Sequence, residues 1–89
     1  MAIVRMEPVS VRVRTDWFDG IPREVTWNSV RLPVTRLTAV RREDSAYRVE
    51  VGPRTVFEVE TPGARLILSF AHRSRRWSVD GIDYEVGLS

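Results

Sequence analysis

The residues with the most obvious catalytic potential in this 89-residue chain surround its single histidine. His72 could serve as a general base, yet no serine in a recognisable nucleophile motif accompanies it. It opens the run HRSRR at residues 72–76, and Trp77 follows directly. Several cations beside an aromatic ring are suited to gripping phosphates and stacking a base. Nucleic-acid binding through this arginine-rich turn is therefore one function that the sequence supports.

Pairs of carboxylates in predicted loops could hold a divalent cation. These pairs are Asp16 with Asp19, Glu43 with Asp44, and Asp80 with Asp83. They lack the density and the glycine placement of a calcium-binding loop. Cysteine is absent, and the five glycines form no phosphate-cradling motif. We interpret these carboxylates as turn formers, and we expect no metal, no cofactor and no catalytic activity.

All fourteen basic residues are arginine, which raises the pI to 9.9 although the formal net charge is only +2. A GC-rich coding sequence would also produce arginine at every basic position, so composition explains this bias better than selection for phosphate binding does. If the chain binds nucleic acid, the expected contact residues are Arg41, Arg42, Arg73, Arg75 and Arg76. Such binding requires these arginines to lie on one face with few carboxylates between them.

The adjacent aromatic residues Trp17 and Phe18 form a second feature, within the loop TDWFDG at residues 15–20. The two aspartates and the glycine of this loop favour turns. Two neighbours in one extended segment cannot both point inward. We therefore predict that the pair faces a protein partner, and the alternative is a lid folded back over an open barrel end.

These residues must be positioned by short strands, organised around the hairpin FEVETPGARLILSF at residues 57–70. Apolar and polar residues alternate up to the turn at Pro62 and Gly63 and again beyond it. The predicted cross-strand neighbours are Phe57 and Val59 opposite Leu66 and Leu68 on one face, and Glu60 opposite Arg65 on the other. One face of the hairpin is then core and the other is solvent.

Alternation predicts further strands at residues 9–14, 23–27, 30–41 and 46–51, and a last one that begins at Trp77. The turn Asn28-Ser29 joins the second and third strands, so that Val25 and Trp27 face Leu32 and Val30. The apolar phase of the third strand changes between residues 34 and 37, which favours a bulge or a corner near Thr35 and Arg36 and places Leu37 and Ala39 on the apolar face. After Val79, the pair Asp80-Gly81 either reverses the chain or ends the strand.

Six or seven short, mainly antiparallel strands without a helical period predict an all-β fold, a small and partly open barrel or roll. Residues 1–89 are expected to form one domain, with residues 1–7 as an edge or a loose lead and residues 85–89 as a frayed tail. No apolar run approaches membrane-spanning length and no secretion signal is recognisable, so we expect a cytoplasmic protein.

Four groups of residues resemble a known family: Asp19-Gly20 with Pro22 and Trp27, then residues 31–34, then the hairpin at 57–70, and finally Arg76-Trp77 with Gly81 and Asp83. On these residues the chain resembles a small uncharacterised β-domain family of bacteria. Its members also occur as the C-terminal piece of catalytically inactive, Y-family-polymerase-like accessory proteins of the mutagenic repair system. This chain lacks the tryptophan-rich segment that typically follows the third strand in that family.

The resemblance implies an accessory role near DNA repair or translesion synthesis. Together with the residue chemistry, it leads us to expect a non-catalytic interaction module that binds a protein partner through Trp17 and Phe18. Nucleic-acid binding through the arginines is the alternative function. Membrane association is not expected, and self-association stays open.

Overall fold

The computed structural model describes residues 4–43 and 52–83, which form seven β-strands. The strands are β1 (Val4–Thr15), β2 (Pro22–Trp27), β3 (Val30–Pro33), β4 (Arg36–Glu43), β5 (Arg54–Thr61), β6 (Ala64–Ala71) and β7 (Arg76–Asp83). They form one antiparallel sheet in the order β3-β2-β1-β7-β6-β5-β4, which curls into a half-barrel. The predicted all-β, partly open barrel is confirmed. The predicted strand at 46–51 and the tail at 85–89 lie outside the described residues.

The central hairpin of β5 and β6 has the register that its alternation predicted. Phe57 lies opposite Leu68 and Val59 opposite Leu66, while Glu60 lies opposite Arg65. The Arg65 guanidinium is 3.3 Å from the Glu60 carboxylate, so the polar face of the hairpin carries a cross-strand ion pair.

The hairpin of β2 and β3 also has the predicted register, with Val25 opposite Leu32 and Trp27 opposite Val30. Asn28 and Ser29 have φ angles of 52° and 66°, the left-handed pair of a type I′ turn. This turn matches the right-handed twist of the strands, which explains why two residues suffice to reverse the chain.

A sharp corner curls the sheet at Val34 and Thr35. These two residues join β3 and β4, which lie at opposite edges of the sheet. The Val34 amide donates to the Arg23 carbonyl of β2 at 2.8 Å, and the Thr35 amide donates to the Glu60 carbonyl of β5 at 2.8 Å. Within these two residues the backbone changes its hydrogen-bonding partner from β2, the neighbour of β3, to β5, the neighbour of β4. The predicted bulge or corner is confirmed.

A second irregularity in β4 corrects the prediction for Ala39. The register with β5 shifts between Leu37 and Ala39, and the intervening Thr38 hydroxyl donates to the Glu58 carbonyl at 2.9 Å. Ala39 consequently lies opposite Glu58 and is exposed, not on the apolar face. Val40 takes the position opposite Phe57 instead.

The hydrophobic core fills the concave inner face of the half-barrel. Its buried side chains are Val25, Phe57, Val59, Ala64, Leu66, Leu68, Val79 and Ile82. Trp77 packs against this cluster, with its ring centroid 5.4 Å from that of Phe57 and 4.9 Å from that of Phe70. Complete burial of a side chain such as Leu66 or Leu68 is worth about 1.5–3 kcal/mol, so the inner face stabilises the curled sheet.

β1 is divided between two partners. It pairs with β7 from Val4 to Val11 and with β2 from Arg12 to Thr15. Residues 4–7, part of the segment for which an edge or a loose lead was predicted, lie within this strand, and the register with β7 shifts between Arg5 and Val9. In the ranges that the structure describes, no helix is long and apolar enough to cross a membrane.

Candidate functional site

The loop between β1 and β2, residues 16–21, holds Trp17 and Phe18 in solvent, and we call it the aromatic loop. Trp17 is 92% exposed and Phe18 is 82% exposed. The two rings meet edge to face, with centroids 5.8 Å apart and planes at 87°. A lid over the barrel end would bury these rings, whereas less than a fifth of either residue is covered.

The backbone of the aromatic loop is fixed by hydrogen bonds at both ends. The Asp16 amide donates to the Ile21 carbonyl at 2.9 Å, and the Gly20 amide donates to the Asp16 carbonyl at 2.7 Å. Gly20 has a φ of 72°, a left-handed conformation that glycine adopts without a steric cost. The loop is therefore a closed turn with a defined shape.

The two aspartates of the aromatic loop orient its remaining amides. Asp16 Oδ1 accepts a hydrogen bond from the Phe18 amide at 2.8 Å, and Asp19 Oδ1 accepts one from the Ile21 amide at 2.9 Å. The Phe18 amide stabilises the Asp16 carboxylate and holds its pKa below the ordinary value. For Asp16 and Asp19 the interpretation as turn formers is thus confirmed.

Arg23 of β2 bridges the same two carboxylates from below. Its Nη2 is 3.4 Å from Asp16 Oδ2 and 3.2 Å from Asp19 Oδ2. Half-exposed ion pairs of this kind contribute about 0–1 kcal/mol each. Arg23 offsets one of the two negative charges of Asp16 and Asp19, so the loop keeps a net charge of about −1 beside the exposed rings of Trp17 and Phe18.

The structure separates the arginines that were predicted to bind nucleic acid. Arg41 and Arg42 lie on β4, three strands from β7, which corresponds to about 14 Å. Arg41 lies opposite Val56 on the outer, convex face and pairs with Glu43 at 2.8 Å. Arg42 lies opposite Thr55, which places it on the other face of the sheet.

The turn between β6 and β7 is divided in the same way. The Arg73 side chain lies against Gly52, because a Cβ added to that glycine would be 2.9 Å from Arg73 Cδ. His72 also faces β5, with Nε2 2.8 Å from the Thr55 hydroxyl. Arg73 and His72 are therefore turned toward the start of β5, whereas Arg75 and Arg76 line a notch beside β1.

Register brings a different set of arginines together on the outer face, and we call it the arginine row: Arg12, Arg31, Arg75 and Arg76. Arg12 lies opposite Thr26, and Thr26 lies opposite Arg31, so the three side chains share one face. Val11 lies opposite Trp77, which brings the next residue, Arg12, beside Arg76. The sequence predictions missed Arg12 and Arg31, because only the pairing of β1 with both β2 and β7 relates them to the turn.

Two notches flank Arg12 where β1 changes partner. One has a volume of about 520 Å³ and is lined by Ser10, Val11, Arg12, Thr26 and Ser29. The other has a volume of about 460 Å³ and is lined by Ser10, Val11, Arg12, Val13, Arg75, Arg76 and Trp77. Both notches include Ser10, Val11 and Arg12, so the two adjoin each other along β1.

The sequence predictions also missed a polar cluster around Asp80. Asp80 was interpreted as a turn former, but β7 continues through it, and the register between β6 and β7 shifts from Leu68 opposite Val79 to Ile67 opposite Gly81. Asp80 is the extra residue of this bulge. The bulge turns its carboxylate to the outer face, where it is almost fully buried.

Hydroxyl groups and an arginine surround the Asp80 carboxylate. The Ser69 hydroxyl donates to Oδ2, the Ser78 hydroxyl donates to Oδ1 at 3.1 Å, and Arg54 Nη1 is 3.2 Å from Oδ2. Arg54 Nη2 also lies 3.5 Å from Glu43 Oε1. Glu43 and Asp83 likewise lie in strands, so for them the interpretation as turn formers is wrong, and Asp44 lies outside the described residues.

An apolar pocket of about 440 Å³ opens at the opposite end of β2 from the aromatic loop. It lies between the β2–β3 turn and the β5–β6 turn, and its apolar walls include Trp27, Val30, Leu32, Leu66 and Ile82. The aromatic loop follows β1 and precedes Pro22, whereas the pocket adjoins Trp27. The six residues of β2 therefore separate the two features by about 17–20 Å.

Within residues 4–43 and 52–83, no three histidine, aspartate or glutamate side chains converge as a metal site would require. Comparison of the chain with protein-family models, curated proteins and solved structures finds no match. The resemblance to the repair-accessory β-domain family stays a prediction. The surfaces of the molecule itself are therefore the basis for a functional proposal.

Proposed function

We propose that this chain is a non-catalytic interaction module that docks a protein partner through Trp17 and Phe18. The observation that carries the proposal is the exposure of both rings, 92% and 82%, on a loop of fixed shape. Single exposed apolar residues are ordinary on protein surfaces, but two adjacent large aromatic rings in mutual contact form an apolar patch. Aromatic side chains of this kind are enriched among the residues that dominate interface energetics.

The closed shape of the aromatic loop favours binding. Ordering a mobile loop and its side chains opposes association, and a turn held by its own hydrogen bonds avoids much of that cost. Because Arg23 pairs with both Asp16 and Asp19, these three residues together carry a net charge of −1. The complementary surface on the partner is therefore an apolar groove that accepts two rings, with a cationic or hydrogen-bonding rim.

The biological setting of this docking is part of the same proposal. The resemblance on residues 19–83 implies an accessory function near DNA repair or translesion synthesis. A non-catalytic module with one preformed docking loop is suited to such a role, because an accessory protein acts by bringing partners together. The exposure and the fixed shape of the aromatic loop favour docking whatever that setting is.

The double substitution Trp17→Ala, Phe18→Ala separates docking from folding. Full burial of a large apolar side chain is worth about 1.5–3 kcal/mol, and less than a fifth of either residue is covered, so the loss of stability is expected to stay below about 1 kcal/mol. Phe57→Ala, in the core, is the contrasting variant and should cost about 3–5 kcal/mol. Urea unfolding, monitored by circular dichroism, gives the free energy of unfolding of the wild type, the double variant and Phe57→Ala.

Binding is measured by affinity capture from the native cell, followed by titration of the purified partner. Loss of an aromatic anchor costs about 2 kcal/mol or more, so the double variant should bind the partner at least about 30-fold more weakly. Val40→Ala is the matched control, because Val40 is also exposed, at 51%, and lies on β4. If the double variant unfolds much more easily and binds normally, the loop is structural and the proposal fails. Sedimentation velocity shows whether the docked partner is a second copy of the chain.

A further inference from the structure

Four arginines on the outer face of the half-barrel have no structural role that their contacts reveal. Arg12, Arg31, Arg75 and Arg76 are all exposed, and among the described residues none of them makes an ion pair or a side-chain hydrogen bond. By contrast, Arg23, Arg54 and Arg65 each lie within 3.5 Å of a carboxylate. These four arginines are thus uncompensated cations that lie close together on the outer face.

The composition of this face identifies the charge that it would attract. Thr26 of β2 lies between Arg12 of β1 and Arg31 of β3. Neighbouring strands of a sheet are about 4.8 Å apart. The depression beside Arg12 adds the side chains of Ser10 and Ser29. The nearest carboxylate along β2 is that of Glu24, two residues from Thr26. Glu24 lies opposite Arg14, which is not part of the row. Arginines interspersed with hydroxyl groups match the donors that proteins offer to phosphate oxygens.

We propose that the arginine row binds the phosphate backbone of double-stranded nucleic acid. Arg12, Arg31 and Arg76 lie on three of the four consecutive strands β3-β2-β1-β7, so they can contact successive phosphates, while Arg75 extends the row from the turn. This surface is separate from the aromatic loop and does not depend on the docking function proposed for it.

Side-chain orientation favours duplex over single-stranded nucleic acid. Binding of single strands relies on aromatic rings on which bases stack. Trp77, the aromatic residue next to the row, packs on the inner face against Phe57 and Phe70. Among the described residues of β1, β3 and β7, none presents an aromatic ring on the outer face. The row therefore contacts phosphates and does not read bases.

The same face is unsuited to a lipid surface. Peripheral membrane binding combines cations with apolar side chains that enter the headgroup boundary. The apolar neighbours of these arginines along the strands pack against the core and do not face outward; they are Val11, Val13 and Leu32. The polar side chains beside the arginine row are those of Ser10, Thr26 and Ser29.

The number of arginines sets the expected salt dependence. Four phosphate contacts on a duplex give a slope of log K against log salt of about −3.6, because each contact contributes about −0.9. Between about 50 mM and about 200 mM salt the affinity should fall by a factor on the order of 100. Binding should also be independent of base sequence, since phosphate contacts carry no sequence information.

The test is fluorescence anisotropy of a short labelled duplex titrated with the full chain at several salt concentrations. Arg12→Gln, Arg31→Gln and Arg76→Gln should each weaken binding and reduce the slope by about 0.9. Arg36→Gln is the matched control, because Arg36 is exposed, makes no ion pair among the described residues and lies on β4 at the far edge of the sheet. The control should bind like the wild type. Melting curves should be unchanged in all four variants, because the substituted side chains are exposed.

Several results would overturn the proposal. Failure to bind duplex at the lowest salt would remove it, and so would an equal effect of Arg36→Gln. Tighter binding to a labelled single strand that is lost in Trp17→Ala would assign the contact to the aromatic loop instead. Retention on vesicles of phosphatidylserine and phosphatidylcholine, without duplex binding, would assign the row to a membrane surface.

Discussion

Asp80 is the centre of a buried polar cluster, so its replacement is expected to destabilise the fold. Its carboxylate is 8% exposed and lies within hydrogen-bonding reach of two hydroxyls and one guanidinium. Asp80→Ala removes the acceptor for all three groups at once. Ser69, which is buried, is left with a hydroxyl that has lost its acceptor, and Arg54 loses a carboxylate that lies 3.2 Å away.

The expected loss of stability follows from these contacts. Removing one partner of a buried ion pair costs about 3–5 kcal/mol, because the other charge is left uncompensated. Arg54 is 25% exposed and keeps Glu43 at 3.5 Å, which places this site at the lower end, about 3 kcal/mol. For a domain of this size, each kcal/mol lowers the Tm by about 4–8 °C, so Asp80→Ala should melt about 12–24 °C below the wild type.

Ser78→Ala is the matched variant, since it removes a single hydrogen bond from the same carboxylate. It should cost about 1–2 kcal/mol, the range for a hydrogen bond to a charged group. Urea unfolding of both variants, monitored by tryptophan fluorescence, gives the free energies. A cost below about 1 kcal/mol for Asp80→Ala would be typical of a surface ion pair, and it would refute the buried placement of the carboxylate.

Two further outcomes are expected from single positions. Ser29 has a φ of 66°, where a side chain is strained, so Ser29→Gly should raise the free energy of unfolding by about 0.5–1 kcal/mol, whereas Ser10→Gly in β1 should lower it; equal effects would contradict the type I′ turn. The hydrogen bond from the Phe18 amide lowers the pKa of Asp16 in the folded chain, so the carboxylate's stabilising contribution is complete above the ordinary value of 3.8 and is lost as the pH falls through the folded pKa. The Phe18 amide resonance should therefore titrate with a midpoint below 3.8, and a midpoint at or above 3.8 would contradict the contact.

Local pattern was sufficient to predict both tight hairpins. In the β5–β6 hairpin the alternation and the Pro62-Gly63 turn specify which residues face each other, because a shift by one residue would turn Phe57 and Val59 away from the core of the inner face. In the β2–β3 hairpin the Asn28-Ser29 turn has the same effect. Contacts between residues that are close in sequence thus follow from turn chemistry and a period of two.

Features that depend on distant strands could not be predicted in this way. The pairing of β1 with β7 brings Val11 beside Trp77, and no local pattern relates these two segments. The bulge at Asp80 is similarly invisible, because an Asp-Gly pair between apolar residues is also a typical turn signal. The exposure of Trp17 and Phe18 follows from the sequence only in part, since alternation requires one ring to point outward and the hydrogen bonds of the loop turn out both.

The aromatic loop and the arginine row are attached to the same strand, yet they are expected to act as independent surfaces. Asp16, the first residue of the loop, follows Arg12 by four residues, which at about 3.3 Å per residue amounts to about 13 Å. This separation exceeds the Debye length of about 8 Å at physiological salt, and Arg23, the cation beneath the loop, is paired with Asp16 and Asp19. The charge of the loop should therefore change the affinity of the row for phosphate very little. Because β1 carries both surfaces on one rigid sheet, simultaneous binding would fix the orientation of a protein partner relative to a nucleic-acid backbone.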